Sequence, residues 1–141
     1  MPNYLIKECA WESCKHQLSD IRRQVFINEQ KVPEELEWDG FDESAQHVVA
    51  LNKQQQAVAT GRVKPDGHIG RMAVLKNYRQ QGIGSKILLA LLDIAQQQNI
   101  SKVFLHAQVT AILFYERHGF VCDSEQFMDA GIPHKSMIKE L

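Results

Sequence analysis

No long apolar run interrupts this sequence. The densest stretch, residues 87–95, contains Asp93 and is far too short to span a bilayer. Cysteine is scarce: Cys9, Cys14 and Cys122 form no CxxC pair and leave at least one thiol unpaired, which excludes a disulfide framework and a zinc ribbon. His16, His68, His106 and His118 lack metal-ligand spacing, so no catalytic metal is expected. Charge of one sign is also missing. Sixteen Lys and Arg stand against 17 Asp and Glu, a net charge of −1 that gives no general electrostatic ground for binding nucleic acid or an anionic membrane. Met1-Pro2-Asn3-Tyr4 opens without the charged and apolar regions of a signal peptide, so a cytoplasmic location is expected and the sequon Asn99-Ile100-Ser101 reads as chance. There is no internal repeat and no long linker. The 141 residues, 44% of them hydrophobic, fit one compact domain over 1–141 with a core that needs no staples.

Periodicity supplies the elements. Residues 4–8 alternate weakly as an opening strand, and Leu18, Ile21, Val25 and Phe26 fall at helical spacing within residues 11–28. Pro33 and Trp38-Asp39-Gly40 then break the chain into a loop holding Glu34, Glu35, Glu37, Asp39, Asp42 and Glu43. Such a loop reads first as solvated, and second as a lure for a cationic acceptor. Residues 47–51 and 57–63 predict a hairpin, Pro65-Asp66-Gly67 a turn, and residues 69–75 a third strand. From Ile83, the residues Ile87, Leu88, Leu91, Leu92 and Ala95 make one face of an amphipathic helix. A buried strand over 103–107, a short helix over 111–117 stopped by Gly119, and strands over 120–122 and 136–138 complete the chain. The fold class is α/β of the α+β type, a mixed and mostly antiparallel central sheet flanked by helices. Trp11 and Trp38 suit core and pocket equally.

The informative junction runs from Met72 to Lys86. A strand ends, a polar turn follows, and Gly82 and Gly84 open a long helix. The first N–H groups of a helix lack intrahelical partners and the macrodipole is positive there, so phosphate binds readily. Glycines let a diphosphate approach the backbone, and Arg79 and Lys86 add charge. A Walker A loop is excluded because Gly84-Ser85-Lys86 has the wrong order, and a Rossmann fingerprint because Ile87 stands where its third glycine belongs.

Arg79-Gln80-Gln81-Gly82-Ile83-Gly84 fits Arg/Gln-x-x-Gly-x-Gly/Ala, and Ala111-Ile112-Leu113-Phe114-Tyr115-Glu116-Arg117-His118-Gly119-Phe120 fits Ala-x-x-x-Tyr-x-x-x-Gly-Phe. In these segments the sequence resembles the GNAT family of N-acetyltransferases, over roughly residues 70–122. Arg22-x-x-Val25-Phe26-x-x-Glu29-Gln30-x-Val32-Pro33, with Asp39, Asp42, Ser44, His47 and the later Asp129-Ala130-Gly131-Ile132-Pro133-His134, is similar to the small bacterial ElaA/YjcF-like branch. The resemblance implies that the loop from Arg79 through Gln80, Gln81, Gly82, Ile83, Gly84, Ser85 and Lys86 cradles the pyrophosphate of acetyl-CoA. It further implies that the backbone of Met72, Ala73 and Val74 holds the pantetheine arm, and that Gln108 and Phe114 contact the cofactor. Gln108 is a departure, since many GNAT enzymes carry Asn there.

The implied reaction is acetyl transfer to a primary amine by direct attack in a ternary complex. Tyr115 would then protonate the departing thiolate, which at a thiol pKa of about 8.5 needs only modest help. An alkylammonium of pKa about 10 must lose a proton first. Glu29, His47 and His134 are the available acceptors, each with a bland alternative as a solvated or hydrogen-bonded residue. A non-catalytic acyl-CoA-binding module and an interaction domain without a CoA site are the rival readings. Domains of this family often dimerise, which leaves a homodimer open, and no segment marks an interface.

Overall fold

Two antiparallel sheets meet along one seam. The computed structural model describes residues 3–141. The first sheet takes β1 (Leu5–Cys9), β2 (Gln46–Leu51), β3 (Ala57–Val63) and β4 (Ile69–Val74) in chain order. In the second, β5 (Lys102–Gln108) and β6 (Val121–Cys122) flank β8 (Ile132–Glu140), and β7 (Phe127–Asp129) pairs with the start of β8 through the tight Ala130-Gly131 turn. The sheets join where His68 bridges Phe104 in parallel and the Phe104 N–H donates to the Gly67 carbonyl at 3.1 Å. Beyond that bridge β4 and β5 form no ladder, and the site lies in the resulting wedge.

The amphipathic helix α3 (Ile83–Gln97) buries Ile83, Ile87, Leu88, Leu91 and Ala95 in the main core with Val48, Val58, Ile69, Leu105, Phe120 and Met137. It lies close on β3: a Cβ at Gly61 would stand 2.8 Å from Ile87 Cγ2 and 2.9 Å from Leu91 Cδ1. Across the first sheet, α1 (Trp11–Arg22) packs Leu18 beside Val49, and Ile21 packs with Val25 and Ala73. The short helices are α2 (Glu34–Glu37) and α4 (Ile112–Glu116).

Three expectations change. The helix expected over 11–28 is α-helical only to Arg22; Arg23–Glu29 forms wider π turns, with the Gln30 N–H donating to the Val25 carbonyl at 3.0 Å. The acidic loop is not simply solvated. Glu37 and Asp42 are buried because Arg22, Arg62 and Arg71, from α1, β3 and β4, supply their partners. The expectation of an unpaired thiol holds: Cys9 and Cys14 pair with Cα atoms 6.3 Å apart, and Cys122 is the free, exposed thiol. The last strand runs Ile132–Glu140, well beyond 136–138, because β5 supplies pairing from Gln108↔His134 to Lys102↔Glu140.

Candidate active site

The segment from Arg79 to Lys86 turns directly into α3. Gly82 caps α3 at φ 80°, a left-handed conformation that favours glycine, and among the described residues nothing beyond its chain neighbours lies within 4 Å of where its Cβ would stand. Among the described residues no side chain caps the helix, so its first N–H groups lack a side-chain partner. Gln80 is also left-handed, at φ 64°. The loop is tethered at both sides: Gln81 accepts a hydrogen bond from the Tyr4 hydroxyl, and Ser85 Oγ lies 3.0 Å from His118 Nε2. Lys86 is exposed on the first turn. This donor set and open space suit a diphosphate.

Arg79 is already engaged. Its Nε donates to the Val74 carbonyl at 2.9 Å, and its two terminal nitrogens donate to Glu29 at 2.6 and 2.7 Å. The Arg79 hydrogen bond holds the Glu29 carboxyl below its ordinary range. Glu29 lines neither cavity described below, and the ion pair occupies the oxygens a base would use. The geometry makes it a tether between the π turns and the loop.

Two cavities meet beside β4. The smaller, about 160 Å³, runs between Ala73, Val74, Gly84, Ile87 and Phe114. The larger, about 300 Å³, opens between the π turns, β4, the ends of β5 and β8, and the Asp129–Ile132 turn. Met72 and Tyr115 line both. The Tyr115 hydroxyl lies 3.7 Å from Met72 Sδ, and burial pushes the phenol up to about 12, so it keeps its proton at neutral pH. β4 is the edge of its sheet past the seam, so its outward backbone groups have no strand partner.

His134 also lines the larger cavity. Its Nδ1 lies 2.7 Å from the Ile132 carbonyl, which only accepts, so Nδ1 carries the hydrogen and Nε2 of the neutral ring keeps its lone pair. The ring stacks on Phe127 with centroids 6.0 Å apart. Gln108 stands opposite His134 in the ladder, and its amide donates to Gln30 Oε1 at 2.8 Å, so it forms cavity wall. His47 is elsewhere. It is buried, stacks on Trp11 at 5.0 Å and bonds the Asp42 carbonyl through Nε2 at 2.9 Å.

Sequence reasoning missed Arg71, His68 and His106 as site residues and set Glu37 only within the acidic loop, yet all four line the larger cavity. Arg71 sits in a β4 bulge at φ 51°, where a non-glycine residue costs on the order of 1–3 kcal/mol. A break in strand pairing leaves no signature in residue type. Trp11 and Trp38 flank Arg22, with ring centroids 5.5 and 5.1 Å from its Cζ, so both belong to the frame of the buried ion network.

The acetyltransferase (GNAT) domain family matches residues 9–141. The chain is 38% identical to the uncharacterised N-acetyltransferase YjcF of Bacillus subtilis, over 89% of this chain and 94% of that protein. An acyl-CoA N-acyltransferase from Pseudomonas aeruginosa superposes with a TM-score of 0.83 at 28% identity, covering 96% of this chain and 97% of the other. Escherichia coli ElaA shares the fold at a TM-score of 0.87 and 24% identity, over 96% and 99% of the two chains. An uncapped helix start behind a left-handed glycine, a splayed edge strand and a tyrosine between two cavities thus occur in a sequence whose similarity runs nearly end to end: the chain belongs to the GNAT family of acetyltransferases.

Proposed function

We propose that this chain, as one catalytic domain over residues 1–141, transfers the acetyl group of acetyl-CoA to a primary amine by direct attack in a ternary complex. The observation that carries the reading is the wall shared by the two cavities, Met72 and Tyr115. The smaller cavity leads back past Val74 and Gly84 to the start of α3, which suits a pantetheine arm whose diphosphate rests on the N–H groups after Gly82. The larger cavity takes the amine.

His134 Nε2 accepts a proton from the ammonium, and the freed nitrogen lone pair attacks the thioester carbonyl carbon. Backbone N–H groups on the open edge of β4 stabilise the oxyanion as it develops. Collapse of the tetrahedral intermediate breaks the C–S bond, and Tyr115 gives its proton to the CoA sulfur. The amide nitrogen, still cationic after the collapse, gives up its second proton, which solvent carries to the Tyr115 phenolate, and the imidazolium loses its own proton to solvent. Holding both reactants at the junction supplies the proximity. No cysteine nucleophile and no metal take part.

Calorimetric titration with acetyl-CoA tests the donor site, alongside a Gly82→Asp/Gly84→Asp variant whose fold is checked by circular dichroism. Two carboxylates at the pyrophosphate position should abolish the micromolar binding expected of the wild type. A wild type that binds no acetyl-CoA would sink the reading. An amine screen that follows free CoA release tests transfer, and bound acetyl-CoA without turnover across that screen would favour the non-catalytic module.

A further inference from the structure

Arg71 is incompletely served by its neighbours. Nη2 donates to the carbonyls of Leu36 and Glu37 at 3.3 and 2.9 Å and approaches Asp39 Oδ2 at 3.3 Å. Nε is buried 3.1 Å from Glu37 Oε2, yet out of line for a hydrogen bond, and so has no hydrogen-bond partner. Nη1 has no hydrogen-bond partner among the described residues. The neighbouring carboxylates are turned toward other arginines: Glu37 accepts from Arg22 at 2.8 Å, Asp42 from Arg22 and Arg62 at 2.7 and 2.8 Å, and Asp39 makes its shortest contact with Arg62. Burial, together with the charges of Arg62 and Arg22, lowers the Arg71 pKa, as expected for a guanidinium short of compensation. The side chain is 26% exposed and lines the larger cavity, one residue before Met72 at the reaction point. A strained, non-glycine backbone places it there.

The rest of the wall suits an anion beside that guanidinium. His68 and His106 line the same cavity with ring centroids 4.9 Å apart, and imidazole N–H groups donate without negative charge. The carboxylates on the wall are Glu37, turned to Arg22, and Asp129 on the exposed turn. A volume of about 300 Å³ lies at the lower limit for small-molecule pockets and suits a compact metabolite.

We infer that Arg71 anchors the acceptor, and that the acceptor is a small amine bearing a carboxylate or a phosphate, which takes the free Nη1 donors while the amine reaches the Met72–Tyr115 junction. The inference rests on the proposed acetyl transfer and names the substrate class for that same cavity. Arg71 is thereby a specificity-determining residue and takes no proton.

Matched acceptor pairs test it: amino acids against their amides, and phosphoethanolamine against ethanolamine, read as kcat/KM from CoA release. Wild type should favour one or both anionic members by about 10- to 100-fold, the range of a charge-assisted hydrogen bond. The amino-acid and phosphoamine arms separate a carboxylate from a phosphate. Arg71→Gln should bring the ratio near one, mainly through KM, and Arg71→Lys should keep part of it because the charge remains without the fork. Neutral amines turned over as well as their anionic partners would overturn the inference while leaving acetyl transfer standing.

A direct readout covers the case in which no acceptor in the panel turns over. Inorganic phosphate and acetate are titrated into the folded CoA complex, and the arginine side-chain N–H resonances are followed by NMR. A shift of the Arg71 signal that is absent in Arg71→Lys supports the inference, and no shift with either ion overturns it. Loss of acetyl-CoA binding itself is seen separately in the calorimetry and counts against the function instead.

Discussion

Arg22 shows how one buried cation organises a flank of the larger cavity. It is 1% exposed, donates to Glu37 and Asp42 at 2.8 and 2.7 Å, and lies between the rings of Trp11 and Trp38. Removing it leaves two buried carboxylates short of a partner, so Arg22→Ala should destabilise the fold by about 3–5 kcal/mol, measured by urea unfolding. Tyr115 answers to a different test. Its phenol holds its proton across the neutral range, and Tyr115→Phe removes the proton but keeps the ring packed near Phe114 and Phe120. The expected result is a drop in kcat of about 100-fold, with the acetyl-CoA dissociation constant nearly unchanged. The two residues also differ in legibility. Tyr115 stands in a contiguous motif. Arg22 finds its carboxylates 15 and 20 positions away, and no local spacing announces an ion pair across elements.

At the scale of elements, α3 was readable in full because its period is regular: the apolar face at Ile87, Leu88, Leu91 and Ala95 is the face the structure buries. The helix beginning at Trp11 was readable only to Arg22. The π turns that follow bury Val25, bring Phe26 and Gln30 to the larger cavity and aim Glu29 at Arg79, while the residue types stay those of an ordinary helix. Widening the turns is a tertiary choice, and periodicity does not encode it. How closely α3 approaches β3 was equally hidden, although one residue sets it. A methyl at Gly61 would come within 3 Å of both Ile87 and Leu91 and 3.1 Å from Met72 Cγ. Gly61→Ala should therefore cost about 1–3 kcal/mol through overpacking, measured as a fall in Tm. Because Met72 borders both cavities, acceptor KM should rise in the same variant.

The whole molecule depends on the seam between its sheets, which the sequence predicts as one central sheet because alternation does not say where pairing stops. At that seam Gly67, at φ 93°, leaves only 2.6 Å between its would-be Cβ and the Lys102 carbonyl, and His68 stacks on Phe104 with centroids 4.6 Å apart. Burial, then the positive charge of Lys64, pushes the His68 pKa down to about 4. In the unfolded chain the same imidazole titrates near its ordinary value of about 6.5. Between those values the unfolded state binds more protons, so stability is full above about pH 6.5 and falls as pH drops toward 4. His47, lowered mainly by burial, adds to this loss, whereas Asp39 and Asp42, held below the usual carboxylate range by Arg62 and Arg22, begin to weaken the fold only at lower pH. Urea unfolding of wild type and His68→Gln from about pH 7 to 4.5 should give a steep decline in the first and a shallower one in the second, the remainder belonging to His47. Parallel declines would show that the seam does not titrate. A shallower one would make His68, which also lines the larger cavity, the proton-sensitive joint between the two sheets, so that acid weakens the fold where that cavity begins.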